Sequence, residues 1–124
     1  MKDLTKIIKG KEGEKIAAFF LKKNGYRIIE TNFRCVLGEI DIIARENGDL
    51  VFIEVKTRKS EELGYPEQAV GRKKQKKLSQ LALWYLEKNK FTDIQARFDV
   101  VAVTISDSTN EIKLIKNAFD FIDA

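Results

Sequence analysis

Histidine is absent from this chain, and cysteine, proline, tryptophan and methionine occur once each. Without histidine there is no His-ligated zinc, no Ser–His pair and no imidazole general base. A lone Cys35 excludes an internal disulfide and a cysteine-only zinc site. With no histidine to activate it, Cys35 reads as a small, partly buried residue rather than a nucleophile. Long apolar runs are missing too. The longest, Ile16 to Leu21, is far too short to span a bilayer, and no signal-peptide pattern is visible, so the expected setting is the cytoplasm, with no membrane partner. There is no internal repeat, low-complexity segment or linker. Any catalysis must therefore rest on carboxylates, lysine, tyrosine or a hard metal ion.

What remains suits one domain over residues 1–124. The chain is 44% apolar, with a formal net charge of +4. A chain of that length buries roughly two-thirds of its unfolded surface. The mild positive charge is compatible with a polyanionic partner without proving one.

The most informative stretch is Gly38 to Arg58, which reads as two strands, about Glu39–Arg45 and Leu50–Arg58. Asn47-Gly48 between them is the strongest short hairpin signal, because a type I′ turn needs φ > 0 at both central residues. The turn predicts a register in which paired numbers sum to a constant, placing Asp41 opposite Glu54 and Glu39 opposite Lys56. Alternation then puts Glu39, Asp41, Glu54 and Lys56 on one face with Ile43, Leu50 and Phe52. Ile40, Ile42, Val51, Ile53 and Val55 fall on the other. Two carboxylates about 5 Å apart repel by roughly 3 kcal/mol at an effective dielectric of about 20. A divalent cation between them reverses that sign, and hard oxygen ligands suit Mg²⁺ or Mn²⁺. Lys56 would point at the same spot, and Glu39 could pair with it.

Asp41 followed by Glu54-Val55-Lys56 resembles the D…ExK signature of the restriction-endonuclease-like, PD-(D/E)xK nuclease superfamily. The wider string adds Glu14, Asn32-Phe33-Arg34, Gly38-Glu39-Ile40-Asp41-Ile42-Ile43-Ala44, Phe52-Ile53-Glu54-Val55-Lys56-Thr57-Arg58 and Arg97-Phe98-Asp99-Val100-Val101. Over about Lys9 to Ile105 the chain is similar to the YraN family, small bacterial proteins described as endonucleases related to archaeal Holliday junction resolvases. Ile40 stands where the superfamily's name puts proline, a position that varies. The resemblance implies an α/β fold: a restriction-endonuclease-like mixed β-sheet flanked by helices, in the order α-β-β-β-α-β-β. It also implies a metal-dependent endonuclease acting on structured or branched DNA. Asp41 and Glu54 would hold Mg²⁺ with the backbone carbonyl of Val55, and Glu14 would join directly or through water. Lys56 would orient the attacking water and the phosphate oxygens. Carboxylates on either side favour its ammonium form, so positioning is preferred to proton abstraction.

The other segments fit around this hairpin. A helix over about Lys11–Asn24 ends at Gly25, with Ile16, Phe19 and Phe20 as its core stripe and Leu21 alongside. Gly13, Ala17 and Ala18 would let it approach the sheet closely. Met1–Gly10 reads as a loose, Lys-rich lead-in that could hold a helical turn at Leu4–Ile8, and Tyr26–Arg34 as the first strand. Arg34 is either a phosphate contact or a surface arginine. A loop over Arg58–Gly71 holds Tyr65 and Pro66. A second helix, from about Glu67 or Val70 to Asn89, buries Leu78, Leu81, Ala82, Tyr85 and Leu86. Its first half carries Arg72, Lys73, Lys74, Lys76 and Lys77 around Gln75. With Arg58 and Lys59 these form a candidate backbone-binding ridge, and the resemblance places Lys74 and Gln75 beside the active centre. Ala96–Ile105 should run parallel to the strand carrying Glu54, since a helix makes the crossover. Its Asp99 reads as a structural acceptor. A final strand covers about Glu111–Lys116, followed by Phe119, Phe121 and Ile122 as a packed tail or an association element. DNA is a more natural partner than RNA, and a resolvase-like enzyme cutting two strands would suit a homodimer. A non-catalytic nucleic-acid-binding module on the same fold is the alternative. An adaptor whose charge serves only solubility is a third reading.

Overall fold

Asn47 (φ 50) and Gly48 (φ 86) both adopt the left-handed conformation that a two-residue hairpin turn requires. They join β2 (Gly38–Glu46) to β3 (Asp49–Lys59). The predicted register holds from Glu46↔Asp49 to Ile42↔Ile53. This computed structural model describes residues 4–59, 70–106 and 109–123, with backbone alone for 4–9. The expected loop residues Tyr65 and Pro66 lie outside the described residues. Around the hairpin stand α1 (Leu4–Lys23), β1 (Arg27–Cys35), α2 (Arg72–Lys88), β4 (Ala96–Ile105) and β5 (Asn110–Phe119). The five strands form one sheet in the order β1-β2-β3-β4-β5. Only β3 and β4 are parallel, and α2 lies between them in the chain. The mixed α/β fold and its element order are as expected. α1 starts well before Lys11, α2 starts at Arg72 rather than Glu67 or Val70, and β5 extends to Phe119.

Each face of the sheet carries one helix. Leu78, Leu81, Ala82 and Tyr85 of α2 pack on Ile43, Leu50, Phe52, Phe98 and Val100. Ala17 and Leu21 of α1 pack on Ile42, Ala44, Val51, Ile53, Val101 and Val103. The Phe-rich stripe expected on α1 is not its buried face, since Phe19 is 63% exposed. Gly13, Ala17 and Leu21, four residues apart, are buried instead. Close approach selected the small residues: a Cβ on Gly13 would stand 1.9 Å from Thr57 Oγ1 and 3.0 Å from Thr57 Cβ. In a free helix Gly→Ala gains about 1 kcal/mol. Here overpacking of about 1–3 kcal/mol opposes that gain, and rotating Thr57 cannot move its own Cβ. Gly13→Ala should therefore lower the urea midpoint, and adding Thr57→Ala should restore part of the loss. A midpoint that rises with Gly13→Ala alone would show that α1 is not seated this closely.

Ile40 departs from the alternation. It packs in the α2 layer with Ile43, not with Ile42. The break falls at Asp41. Thr31↔Ile42 and Phe33↔Ile40 pair on either side, while Asn32 between them is left-handed at φ 53.

Near the hairpin turn a buried polar cluster ties four strands together. Arg97 donates to Glu46 (2.6 Å), Asp49 (2.8 Å) and Asp99 (3.0 Å). The Tyr26 hydroxyl donates to Asp99 at 2.7 Å, and the Asn117 backbone N–H does so at 2.9 Å. Lys116 donates to Glu46 at 2.7 Å. The structural role expected of Asp99 is borne out: it is fully buried and receives all its donors from within the fold. Lys116 first, then Arg97, hold the Glu46 carboxyl below its usual range against the opposing effect of burial. A depressed carboxyl contributes stability above its unfolded pKa, and that contribution is lost as pH falls through the folded value. Melting between about pH 6 and 3 should thus decline less steeply for Glu46→Gln than for the parent. Parallel curves would remove Glu46 from the acid response. At the end of β5, Phe119 stacks on Phe98 at 4.6 Å between ring centres, and just past it Phe121 packs on Phe98 with a tilted ring at 4.5 Å. The tail is thus packed into the α2 layer.

Candidate active site

The site forms where β2 and β3 part. Beyond Ile42↔Ile53 the backbone ladder does not continue to Asp41 and Glu54. Instead the Val55 N–H donates to Asp41 Oδ2 at 2.8 Å, so a side chain replaces a strand as acceptor. Glu54 is only 7% exposed. Its Oε1 stands 3.8 Å from Lys56 Nζ and 3.9 Å from Lys74 Nζ. These separations exceed hydrogen-bond length, so the lysines act on Glu54 as nearby charges. They do not neutralise it. Burial first, then the Asp41 charge, push the Glu54 carboxyl up to about 7. Burial also raises Asp41, with Glu39 adding to it, while the Val55 N–H, Lys74 and Lys56 pull it down.

Glu14 reaches the same neighbourhood from α1. Its carboxyl is raised by burial, then by Asp41 and Glu39. Glu14 and Asp41 both line an open cleft of about 630 Å³ between α1 and the β1–β2 pair. Glu39 does not pair with Lys56 as the register suggested. It meets Arg34 at 3.0 Å, because both lie on the exposed cleft side while Lys56 lies by Glu54. Arg34 is therefore a cleft-lining residue with an acidic neighbour.

Of the expected ridge, Lys74 reaches the site, while Arg72, Lys73, Lys76 and Lys77 are exposed on the first turns of α2. Arg58 is half-buried and Lys59 exposed at the end of β3. Gln75 is turned elsewhere: its amide donates to the Val70 carbonyl at 2.9 Å and secures the start of the helix. The first turn of α2 has no acidic residue, and Gly71 provides no side-chain cap. Cations there oppose the helix dipole by about 0.3–1 kcal/mol each, a cost that an anion bound at this end would offset. Lys11, Lys15 and Thr31 also line the cleft. Sequence reading missed them, although Lys11 and Lys15 flank Glu14 on the same helix.

The donor chemistry suits a hard divalent ion. Asp41 and Glu54 supply acidic oxygens, Glu54 buried and Asp41 half-buried, whose mutual repulsion and desolvation Lys56 and Lys74 only partly offset. Among the described residues, no three His, Cys, Asp or Glu side chains group closely enough to hold a metal. The protein would supply two carboxylates, leaving other positions to backbone oxygen, water or a substrate phosphate, which is how Mg²⁺ is commonly held.

A model of the uncharacterised protein family UPF0102 matches residues 13–103, a span that includes Glu14, Asp41, Glu54, Lys56 and Lys74. The chain is similar to a UPF0102 protein of Syntrophus aciditrophicus, 50% identical over 111 residues covering 90% of this chain and 87% of the relative. A Geotalea daltonii UPF0102 protein is 51% identical over 112 residues, 90% and 88% of the two chains. One from Persephonella marina is 47% identical over 113 residues, 91% and 94%.

Proposed function

The chain belongs to the uncharacterised protein family UPF0102, and from its site we propose that it is a metal-dependent endonuclease hydrolysing phosphodiester bonds of structured or branched DNA. The observation that carries this reading is the buried Glu54 beside the half-buried Asp41, flanked by Lys56 and Lys74, with Glu54 pushed up to about 7. A purely structural role leaves that electrostatic cost unexplained, whereas a cation and a phosphate together relieve it. The pattern of Asp41 with Glu54-Val55-Lys56 resembles that of PD-(D/E)xK nucleases.

Asp41 and Glu54 would hold Mg²⁺ or Mn²⁺, with the Val55 carbonyl, and Glu14 would act from across the cleft. When bound, the ion supplies Lewis-acid stabilisation of charge developing on the phosphate. Val55 keeps the Asp41 carboxylate in place through its N–H. Lys56, with its side chain 33% exposed, orients the attacking water and a phosphate oxygen. Lys74 draws the phosphate toward Glu54 from the α2 side. The exposed lysines of α2 hold the flanking backbone, releasing counterions as they do so. A cytoplasmic location goes with this reading. Among the described residues no helix is long and apolar enough to cross a membrane.

The test is cleavage of labelled duplex, single-stranded, flap and four-way-junction DNA, and of RNA, with Mg²⁺, Mn²⁺ or EDTA. Lys56→Ala should abolish metal-dependent cutting while leaving salt-sensitive binding largely intact. Cutting that survives this change would remove Lys56 from the chemistry. Salt-sensitive binding without cutting of any substrate would leave a non-catalytic nucleic-acid-binding module.

A further inference from the structure

The break in the β1–β2 ladder opens a feature that the chemistry of Asp41 and Glu54 does not use. Asn32 and Asp41 face each other without pairing, while their neighbours on both sides pair normally. Asn32 is held at φ 53, a conformation that asparagine tolerates better than most residues but that is uncommon within a strand. Backbone irregularities of this kind concentrate at ligand sites. Here the irregularity lies at the foot of the 630 Å³ cleft, which Lys11, Lys15, Arg34, Thr31, Asn32 and Asp41 help to line.

The cleft's composition points to a class of ligand. Lys11 and Lys15 are one helical turn apart, and both are exposed, as is Arg34. Asp41 and Glu14 are half-buried, and the third lining carboxylate, Glu39, is exposed but meets Arg34 at 3.0 Å, so Lys11 and Lys15 are the cations that stand nearer to solvent than Asp41 and Glu14. Thr31 adds a hydroxyl for hydrogen bonding, while the Asn32 side chain already hydrogen-bonds the Glu14 carboxyl. No aromatic residue is among the described residues lining the cleft, so sugar–phosphate and base-edge contacts, not stacking, would hold a ligand. The cleft's volume of about 630 Å³ lies within the range of about 300–1,000 Å³ common to small-ligand sites. The second basic surface, on α2, reaches Glu54 through Lys74 from the opposite face of the sheet. Asp41 and Glu54 thus lie between an open cleft on the α1 side and an exposed basic ridge on the α2 side. A backbone running from one to the other would pass close to both carboxylates. A nucleotide in a continuous duplex enters a recess only after leaving the stack, at a cost that is least where it is already unpaired.

We infer that the cleft between α1 and the β1–β2 pair receives an unpaired nucleotide adjacent to the scissile phosphate. The preferred substrates are then single strands, flaps and junction arms with unpaired residues rather than continuous duplex. This inference rests on the nuclease reading for the identity of the phosphate, but binding tests it without metal.

The experiment is fluorescence anisotropy in EDTA, using a labelled single strand as DNA and as RNA, a flap, and a blunt continuous duplex. Thr31→Trp fills the cleft from an exposed strand position that suits an aromatic residue. It should weaken single-strand and flap binding by about tenfold and leave duplex binding unchanged. Lys11→Gln with Lys15→Gln should reduce the single-strand salt slope by about 0.7 per lysine, and these exposed substitutions keep the test valid if the Trp variant melts early. Weakening that is equal on duplex and single strand, or no change on either, overturns the inference. The DNA and RNA arms report which sugar the cleft accepts. Selective loss of unpaired strands without any Mg²⁺-dependent cutting would retain the cleft and discard the nuclease. Cutting of duplex and flap alike, indifferent to the cleft variants, would discard the cleft and retain the nuclease.

Discussion

Glu54→Gln is expected to reduce metal-dependent cleavage by at least about a hundredfold while raising the melting temperature of the metal-free protein at neutral pH. The opposite signs follow from one cause. Glu54 is buried beside Asp41, and its carboxyl is pushed up to about 7. A carboxyl raised above its unfolded value of about 4.3 weakens the fold as pH rises from there toward the folded value. The amide keeps the shape and removes the charge. Its advantage should be small near pH 4, grow with pH, and level off above about 7. If Asp41 and Glu54 hold Mg²⁺ as proposed, the ion should raise the melting temperature of the parent, because it would bind only the folded state, and raise that of the variant much less. Differential scanning fluorimetry across pH, with and without Mg²⁺, reads all three effects. A variant that melts lower at pH 8 would mean that Glu54 serves the fold, and the site assignment would lose its main support.

Arg97→Met should have the largest effect on stability. The guanidinium meets Glu46, Asp49 and Asp99 at once, with its side chain only 16% exposed. Removing it leaves three carboxylates in a largely buried cluster, a kind of loss that costs about 3–5 kcal/mol. For a domain of this size the melting temperature should fall by on the order of 10–20 °C. Arg97→Lys should recover little, since an ammonium lacks the planar fork that spans these acceptors. Glu54 is five residues along β3 from Asp49, about 16 Å at strand spacing. Cleavage per folded molecule at low temperature should therefore be near normal. A variant that stays stable yet loses activity would tie this cluster to the site and contradict the separation.

Several features were legible in the residues themselves because they depend on neighbours in the chain. Asn47-Gly48 set the turn, and the turn set the register as far as Ile42↔Ile53. The spacing of Leu78, Leu81, Ala82 and Tyr85 marked the buried side of α2. Asp41, Glu54 and Lys56 stood out through their resemblance to a known pattern, but the register that set Asp41 opposite Glu54 stops at Ile42↔Ile53. Alternation failed at Ile40, because a left-handed Asn32 on the partner strand cannot be read from β2. It failed to link Glu39 with Lys56, because Arg34 offers Glu39 a closer charge. Phe19 looked like core by hydrophobicity, but the interhelix-to-sheet distance at Gly13 decided which side of α1 faces inward.

By itself the sequence determined the order of the elements, the hairpin and the parallel crossover, since each follows from local periodicity or turn chemistry. Only the tertiary structure decided that Lys74 stands beside Glu54, that Asp41 takes the Val55 N–H, that Arg97 joins Tyr26, Glu46, Asp49 and Asp99, and that a cleft opens beside Asn32. Those contacts join residues distant in the chain. Their energies depend on burial and separation, which no local pattern encodes.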